Sequence, residues 1–291
     1  MGFAQSEELK GSLTLSGAWA VYPTAVSWAD AFKKKHPGVE INITAGGAGK
    51  GAADAMAGLV DIGMVSREPD PSETKEIKAV KVLKDAVFVV VNEKNPVISD
   101  LSSKGLKKDA LRDVYITGLI TSWGQAVGAQ DKKPIHTYTR SDAAGAASSW
   151  AAFLGKKQED LKGIGIFGDP SLLETVKRDP VGIGFNNFSF VFDKNGDVIA
   201  GVKLLPIDSN NNGKVDGDEL ITSRAQAVQL IQSGKYPVAR NNYFFIDPAP
   251  NALVKAFIEF ALSDEGKAVV EQVGASLPLT DKERDESLAS L

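Results

Sequence analysis

The strongest constraint on the fold is a regular alternation of strands and helices near the start of the chain. SLTLSG (12–17), VEINITAGG (39–47) and VDIGMVS (60–66) have the composition of strands that end in or near glycine. TAVSWADAFKKKHPG (24–38) and GKGAADAMAGL (49–59) lie between them and have helical periodicity. This β-α-β-α-β order predicts an α/β domain with a mostly parallel sheet, because parallel neighbours need crossover helices.

The length of 291 residues exceeds that of an ordinary domain, and later segments predict a second α/β lobe. DAVFVVVNEKNPV (85–97) and YFFIDPAP (243–250) are candidate strands that cross between the lobes. We therefore predict a discontinuous lobe of residues 1–92 plus 245–291 and a second lobe of residues 93–244. Two α/β lobes joined by two crossover strands form a hinged clamp, which suits ligand capture.

Two local patterns in the second half of the chain give more detailed predictions. GIGFNNFSFVFD (182–193) and VIAGVKLLPID (198–208) are expected to form a hairpin around a Lys-Asn-Gly turn. The stretch 251–274 predicts two helices, and Ser263 is the expected N-cap of the second.

Composition excludes several functional classes. The net charge of −4 argues against a nucleic acid or an anionic membrane surface as the main partner. The absence of cysteine excludes disulfides, thiolate metal sites and cysteine nucleophiles. No apolar run approaches the ~20 residues that span a bilayer, and no signal peptide is recognisable. No nucleophile or Ser/His/Asp grouping is recognisable either, so we do not expect an enzyme.

Three strand-to-helix turns share a small, glycine-rich composition that suits an anion. They are SGAWAVYP (16–23), AGGAGKG (45–51) and RSDAAGA (140–146). The first N–H groups of a helix lack helical partners and carry partial positive charge, and small residues let an anion approach them. Ligands of open α/β sheets bind at the carboxyl ends of strands, where these turns are expected. The three turns therefore predict an anion cradle built largely from backbone.

The predicted ligand-binding residues lie in these turns and directly after the third strand. Arg140 is the strongest polar candidate, since a planar guanidinium can hold an oxyanion or carboxylate with two N–H groups. Asp142 is expected to orient Arg140 or to accept a hydrogen bond from a protonated ligand. Arg67 has an alternative structural role as the partner of Glu68 or Asp70. The full predicted set is Ala18, Trp19, Ala20, Gly47, Ala48, Gly49, Lys50, Ser66, Arg67, Arg140, Asp142, Ala144, Gly145 and Ala146.

Motifs along almost the whole chain match one known family. SGAWAVYP resembles the family's SGSSTVYP opening, and AGGAGKGAADAMAGLVDIGMVSREP (45–69) resembles GGGSGTGIKALIDGTVDIGMASRE. Further similar segments are DAVFVVVNEKNPV (85–97), LRDVYITGLITSW (111–123), SGKYPVARNNYFF (233–245) and LVKAFIEFALSDEGKAVVEQVG (253–274). The chain thus resembles the phosphate-binding (PstS-like) subfamily of periplasmic solute-binding proteins of ABC transporters.

This resemblance implies both a fold and a function. The implied fold is a type II periplasmic-binding-protein clamp of two α/β lobes with two crossover strands. The implied function is the capture of phosphate or a related oxyanion in the periplasm or outside the cell. The implied partner is an ABC permease at the membrane, and we expect a monomer that does not bind nucleic acid.

The three turns depart from the family pattern where that pattern carries hydroxyl donors. Ala18-Trp19-Ala20 replaces usual Ser and Thr residues, Ala48 replaces a usual Ser, and Ala144-Gly145-Ala146 replaces Ser-Gly-Thr. A charge-assisted hydrogen bond is worth roughly 1.5–3 kcal/mol, so phosphate is expected to bind more weakly than in relatives with these hydroxyls. The open alternative is a repurposed clamp for an organic anion, or a sensor or scaffold. Trp19 and Tyr22 would then contact the ligand, or else only pack within their lobe.

A separate motif, DSNNNGKVDGDE (208–219), matches the EF-hand calcium loop over its full length. The strand-like VKLLPI precedes it, so we expect one structural Ca²⁺ site and not a paired sensor hand. The alternative is a solvated turn rich in Asn, Asp and Gly. The predicted ligands, at loop positions 1, 3, 5, 7, 9 and 12, are Asp208, Asn210, Asn212, the Lys214 carbonyl, Asp216 and Glu219.

Overall fold

The computed structural model describes residues 9–291, which fold into eleven strands and twelve α-helices. The strands are β1 (Gly11–Gly17), β2 (Val39–Ala45), β3 (Ile62–Val65), β4 (Lys78–Asn92), β5 (Leu106–Lys107), β6 (His136–Arg140), β7 (Ile164–Ile166), β8 (Gly182–Asn187), β9 (Val202–Leu204), β10 (Ile207–Asp208) and β11 (Ala239–Ile246). The helices are α1 (Tyr22–Lys35), α2 (Ala48–Met56), α3 (Ile98–Lys104), α4 (Lys108–Arg112), α5 (Trp123–Val127), α6 (Gly145–Phe153), α7 (Asp169–Arg178), α8 (Phe188–Val191), α9 (Arg224–Gln232), α10 (Ala252–Ala261), α11 (Asp264–Val273) and α12 (Asp281–Ala289).

The chain divides into two compact units. Unit 1 contains the described residues 9–83 and 241–291, and unit 2 contains residues 84–240. The chain passes between the units within strands β4 and β11. The predicted boundaries, 92/93 and 244/245, differ from these, because a continuous apolar strand carries no local sign of which core each residue joins.

Unit 1 is built on a sheet with the strand order β2-β1-β3-β11. β1 runs parallel to β2 and to β3, whereas β11 is antiparallel to β3. α1 connects β1 to β2, and α2 connects β2 to β3. The predicted β-α-β-α-β order is therefore confirmed, and the turns that lead into α1 and α2 leave the sheet at the same edge.

Aromatic side chains hold α1 against this sheet and against the C-terminal helices. The ring of Trp28 lies 6.0 Å from that of Phe244 on β11, and its indole N–H donates to the Gly266 carbonyl at 2.9 Å. The ring of Phe32 packs edge-on against Phe257 of α10 at 5.4 Å. Since all four aromatic residues are buried, the apolar face predicted for this helix fixes its position and that of the turn before it.

Unit 2 has the strand order β4-β8-β6-β7, with β9 also paired to β4. The predicted hairpin between residues 182–193 and 198–208 forms only at its turn, where Phe192 and Val198 make an antiparallel bridge; β8 and β9 each pair with β4 and not with each other. β8 ends in the short helix α8, whose Phe188 and Val191 are buried. Alternation of apolar residues in this stretch does not distinguish a strand from a buried helical turn.

The N-terminal end of α11 follows its sequence pattern. Ser263 accepts a hydrogen bond from the Gly266 N–H at 3.1 Å, as predicted for an N-cap. Within residues 9–291, no helix is both long and apolar enough to cross a membrane.

Candidate ligand-binding site

In unit 1, backbone hydrogen bonds join the two predicted turns into one cluster. The Ala18 N–H donates to the Met64 carbonyl at 2.8 Å, and the N–H groups of Gly46 and Gly47 donate to the Gly17 carbonyl at 2.9 and 3.0 Å. Gly17 has a φ of 131°, and a Cβ placed on it would lie 2.3 Å from the Met64 oxygen. Glycine is therefore required at this position for the turns to approach β3 so closely.

Helix α2 begins in this cluster without a side-chain cap. Its N-cap is Gly47, with a φ of 97°, and its first helical residue is the buried Ala48. The N–H groups of the first turn, which includes Gly49 and Lys50, have no partners within the helix. The N-terminal end of α2 thus provides backbone donors and partial positive charge for an anion.

The Lys50 side chain, predicted to provide charge to the ligand, pairs with Asp54 one helical turn further along. The Asp54 carboxylate also accepts from the Ser16 hydroxyl at 2.5 Å. Burial raises the pKa of Asp54, but the hydrogen bonds from Lys50 and Ser16 outweigh this effect and hold the pKa below its ordinary value. Lys50 is half-exposed, so its ammonium group is shared between Asp54 and water.

Ser66 and Arg67 directly follow β3. Ser66 is buried, and the Arg67 guanidinium donates to both carboxylate oxygens of Glu73 at 2.5 and 2.8 Å. Arg67 also donates to the Glu68 carbonyl at 3.1 Å. Arg67 therefore has a structural partner, as the alternative prediction required, but its carboxylate partner is Glu73 and not Glu68 or Asp70.

Trp19 and Tyr22 lie at the start of α1. Their rings are 6.5 Å apart and tilted, and both side chains are partly exposed. The small residues beside them, Ala18 and Ala20, are fully buried. Two aromatic surfaces therefore adjoin a turn that has no hydroxyl group between Gly17 and Val21.

In unit 2, Arg140 ends β6 and is held by two buried carboxylates. Its Nε and Nη2 donate to the two oxygens of Asp142 at 2.9 and 2.6 Å, and its Nη1 donates to Asp169 at 2.5 Å. The Arg140 side chain is 1% exposed, and those of Asp142 and Asp169 are 4% and 0% exposed. Asp142 is thus the predicted orienting partner, and Asp169 is a second partner that was not predicted.

Asp169 extends this cluster towards both strands that pass between the units. Its second carboxylate oxygen accepts from the side-chain amide of Asn187 at 2.8 Å. Arg240 on β11 donates to the Asn187 amide oxygen and to Asp85 on β4. Burial raises the pKa of Asp169 against the opposing effect of Arg140 and Arg240, and it raises the pKa of Asp85 against that of Arg240.

This extension of the cluster is not predicted from the sequence, although the sequence contains weak signals for it. Asp85 directly precedes the apolar stretch 86–91 in the middle of β4, and Asp169 is the first residue of α7. A charged residue at the edge of an apolar run is a candidate for a buried ion pair, but its partner cannot be read from the sequence. The partners of Asp85 and Asp169 are 155 and 29 residues away.

The third predicted turn leads into α6 without a side-chain cap. The N-cap is Ala144, and the helix starts at Gly145 and Ala146. The Gln158 side chain supports this turn: it accepts from the Ala144 N–H at 3.1 Å and donates to the Asp142 carbonyl at 2.6 Å. The N–H groups of Gly145 and Ala146 at the start of α6 therefore have no capping side chain, and these residues follow Arg140 closely along the chain.

The loop 208–219 brings its predicted metal ligands together by hydrogen bonds. Asp208 is buried and accepts from the N–H groups of Asn212 and Gly213 at 3.1 and 2.9 Å. Glu219 reaches back to the N–H groups of Ser209 and Asp216 at 2.7 and 3.1 Å. The amide groups of Asn210 and Asn212 both contact one oxygen of Asp216.

The types of oxygen ligand in this loop limit which cation it could bind. Within residues 9–291, no three His, Cys, Asp or Glu side chains are grouped to hold a metal by themselves. A cation in the loop would therefore depend on the Asn amide oxygens and the Lys214 carbonyl as well as on the carboxylates, which is the mixture that Ca²⁺ accepts.

Comparisons with known proteins agree with the fold and the motifs. A family model described as a PBP superfamily domain matches residues 4–265. The phosphate-binding protein PstS of Bacillus subtilis is 27% identical over 276 residues, which cover 94% of this chain and 83% of that protein.

Comparison with solved structures also shows similarity to phosphate-binding proteins of ABC transporters. A putative phosphate ABC transporter substrate-binding protein with bound phosphate, from Clostridium perfringens, has a TM-score of 0.76 at 26% identity, with 93% of this chain and 100% of that chain covered. An ABC-type phosphate transport receptor from Vibrio cholerae has a TM-score of 0.70 at 21% identity, with coverages of 92% and 100%. The predicted α/β fold and the resemblance to PstS-like proteins are confirmed, and the chain belongs to the PBP superfamily.

Proposed function

We propose that this protein is a non-enzymatic solute-binding protein that captures phosphate or a closely related oxyanion for an ABC transporter. The names of its relatives support phosphate as the ligand. The same relatives do not favour the alternative of a sensor, a scaffold or a binder of a different organic anion. They also support a location outside the cytoplasm and an ABC permease as the partner.

The single observation that carries this proposal is the buried arginine beside an uncapped helix. Arg140 ends β6, and the N-terminal end of α6 follows within five residues. Three of its five N–H groups are used by Asp142 and Asp169, which leaves two donors in a fixed orientation. A guanidinium and a helix N-terminus together form a strong binding site for an oxyanion.

Isothermal titration calorimetry of the phosphate-free protein with inorganic phosphate tests this function. Sulfate and a dicarboxylate serve as comparison ligands in the same buffer. We expect saturable binding of one phosphate per chain, and we expect the chain to be monomeric by light scattering. Saturable binding of the dicarboxylate but not of phosphate would contradict the proposal and favour the repurposed clamp.

We propose a second function for the loop 208–219, which is to bind one structural Ca²⁺ ion. The specific support is the full twelve-residue spacing together with the convergence of its side chains on Asp216. A ligand that binds only the folded state stabilises it by about 2.7 kcal/mol at a hundredfold excess over its dissociation constant. Extracellular modules bind Ca²⁺ with dissociation constants of about 10⁻⁴ to 10⁻³ M, so a millimolar concentration is needed.

Thermal melts in millimolar Ca²⁺ and in EGTA test this second proposal. We expect a higher melting temperature in Ca²⁺, and we expect Glu219→Gln to remove the difference. Asp218→Asn is the matched control, because Asp218 lies in the same loop but its position is not a ligand in the motif. A melting temperature of the unsubstituted protein that is equal in Ca²⁺ and in EGTA would contradict a calcium site.

A further inference from the structure

The side chain of Asn242 is a buried polar group without a partner. It is 0% exposed, and neither its amide nitrogen nor its amide oxygen has a hydrogen-bond partner within the described residues. A 180° flip of the amide group, which exchanges these two atoms, would still leave both without a partner. Such a group costs about 1–3 kcal/mol, and folded proteins rarely keep one without a reason.

The register of the sheet locates this side chain near the turn of residues 18–21 in unit 1, which we call the 18–21 turn. Tyr243 pairs with Val65 in the antiparallel ladder between β11 and β3, so Asn242 is opposite the buried Ser66. β11 enters the sheet at the edge where β1 and β3 end. The turn that contains Ala18 leaves β1 at this edge and bonds to β3.

The direction of the side chain follows from the alternation along β11. Asn242 shares a face of the sheet with Phe244, two residues further on. Phe244 packs against Trp28 of α1, so this face is the one that α1 covers. Asn242 therefore lies on the α1 side of the sheet, at the edge where the 18–21 turn leads into that helix.

This turn has few side-chain groups that could satisfy a carboxamide. Ala18, Ala20 and Val21 are buried and apolar, and α1 has no side-chain cap. A carboxamide offers two N–H donors and one acceptor oxygen. An oxyanion that enters the turn would accept from the amide nitrogen, and a hydroxyl or protonated oxygen of the same ligand would donate to the amide oxygen.

We propose that Asn242 is a binding and specificity-determining residue for the anion, and that its carboxamide takes the place of the hydroxyl donor that the 18–21 turn lacks. This inference rests on the proposed function of the protein. The ligand that fits best is a small oxyanion with at least one hydroxyl or protonated oxygen. A fully deprotonated anion would leave the amide oxygen without a partner.

Titration calorimetry with inorganic phosphate on Asn242→Leu tests the inference, with Asn241→Leu as the matched control. Asn241 is the same residue type one position earlier, and its amide contacts Glu68 and Tyr243 on the opposite face of the strand. We expect Asn242→Leu to bind phosphate about tenfold more weakly or worse, because a charge-assisted hydrogen bond is lost. We expect Asn241→Leu to bind like the unsubstituted protein.

Thermal melts of the ligand-free proteins separate this role from a structural one. Leucine has a similar volume and no polar atoms, so Asn242→Leu is expected to melt at the same temperature as the unsubstituted protein or higher. If Asn242→Leu does not fold, Asn242→Ala replaces it, with the same expected loss of affinity.

The outcomes distinguish failure of the inference from failure of the proposed function. An unchanged phosphate affinity in either folded variant would overturn the inference alone. A lower melting temperature with unchanged affinity would instead assign Asn242 a structural role, such as binding a buried water. An absence of phosphate binding by the unsubstituted protein would overturn the proposed function, and this inference with it.

Discussion

Replacement of Arg140 by alanine is the perturbation that most directly tests the site in unit 2. Arg140 makes three hydrogen bonds to Asp142 and Asp169, and all three side chains are buried. Arg140→Ala leaves two buried carboxylates without their nearest counter-charge. We therefore expect a large loss of stability as well as weaker phosphate binding.

The expected magnitudes follow from this geometry. Removal of one partner from a buried ion pair costs about 3–5 kcal/mol, because the remaining charge is desolvated and unpaired. In a unit of this size, 1 kcal/mol corresponds to about 2–4 °C, so the melting temperature should fall by about 6–20 °C. The affinity of the folded fraction for phosphate should fall at least about tenfold, or roughly 1.4 kcal/mol.

Hydrogen exchange measured by mass spectrometry is the suitable assay for stability, because a protein of two units need not unfold in one step. Peptides from residues 84–240 should lose protection in Arg140→Ala, whereas peptides from residues 9–83 should change less. Arg140→Lys should recover only part of the stability, since it keeps the charge but loses the planar geometry. Arg112→Ala is the control, because Arg112 is exposed in the same unit.

Two results would refute parts of this reasoning. A variant Arg140→Ala that is as stable as Arg112→Ala would show that the guanidinium does not neutralise buried carboxylates. A loss of stability with unchanged phosphate affinity in the folded protein would leave Arg140 as a structural residue without a role in ligand binding.

Three further substitutions test other parts of the fold and site. In thermal melts, Gly17→Ala should lower the free energy of unfolding by well over 1 kcal/mol, because the added Cβ would clash with a β3 carbonyl. Gly58→Ala is the control, since Gly58 also has a positive φ but lies in open space, and it should lower the stability less. An equal loss of stability in the two variants would contradict the clash. Ser263→Ala should lose about 1 kcal/mol of stability with the α11 cap, and an unchanged melting temperature would refute the capping role. Ala144→Ser combined with Ala146→Thr should tighten phosphate binding about tenfold in titration calorimetry, because hydroxyl donors are added at the start of α6, and an unchanged or weaker affinity would contradict this.

Local patterns predicted the parts of the fold that depend on local interactions. The apolar face of α1, with Ala25, Trp28 and Phe32, is buried as its helical spacing indicates. Ser263 caps α11, because an N-cap hydrogen bond involves residues only three positions apart. The strand-helix alternation of the first 66 residues was sufficient to predict the parallel part of the sheet in unit 1.

The sequence also predicts the type of site, because three glycine-rich turns before helices can present little except backbone N–H groups. Tertiary structure alone decided which carboxylates pair with the cationic residues predicted for that site. Arg67 is paired with Glu73, Lys50 with Asp54, and Arg140 with Asp169 in addition to the predicted Asp142.

Asn242 shows most clearly the difference between what local sequence predicts and what tertiary structure decides. Its sequence context, between a second asparagine and a tyrosine, gives no sign of burial, and only the pairing of β11 with β3 places it opposite Ser66. The function of a polar side chain depends on the groups around it, and sheet register brings together residues that are far apart in sequence. Secondary structure is set by neighbours along the chain, whereas burial and charge pairing are set by contacts that form only when the chain has folded.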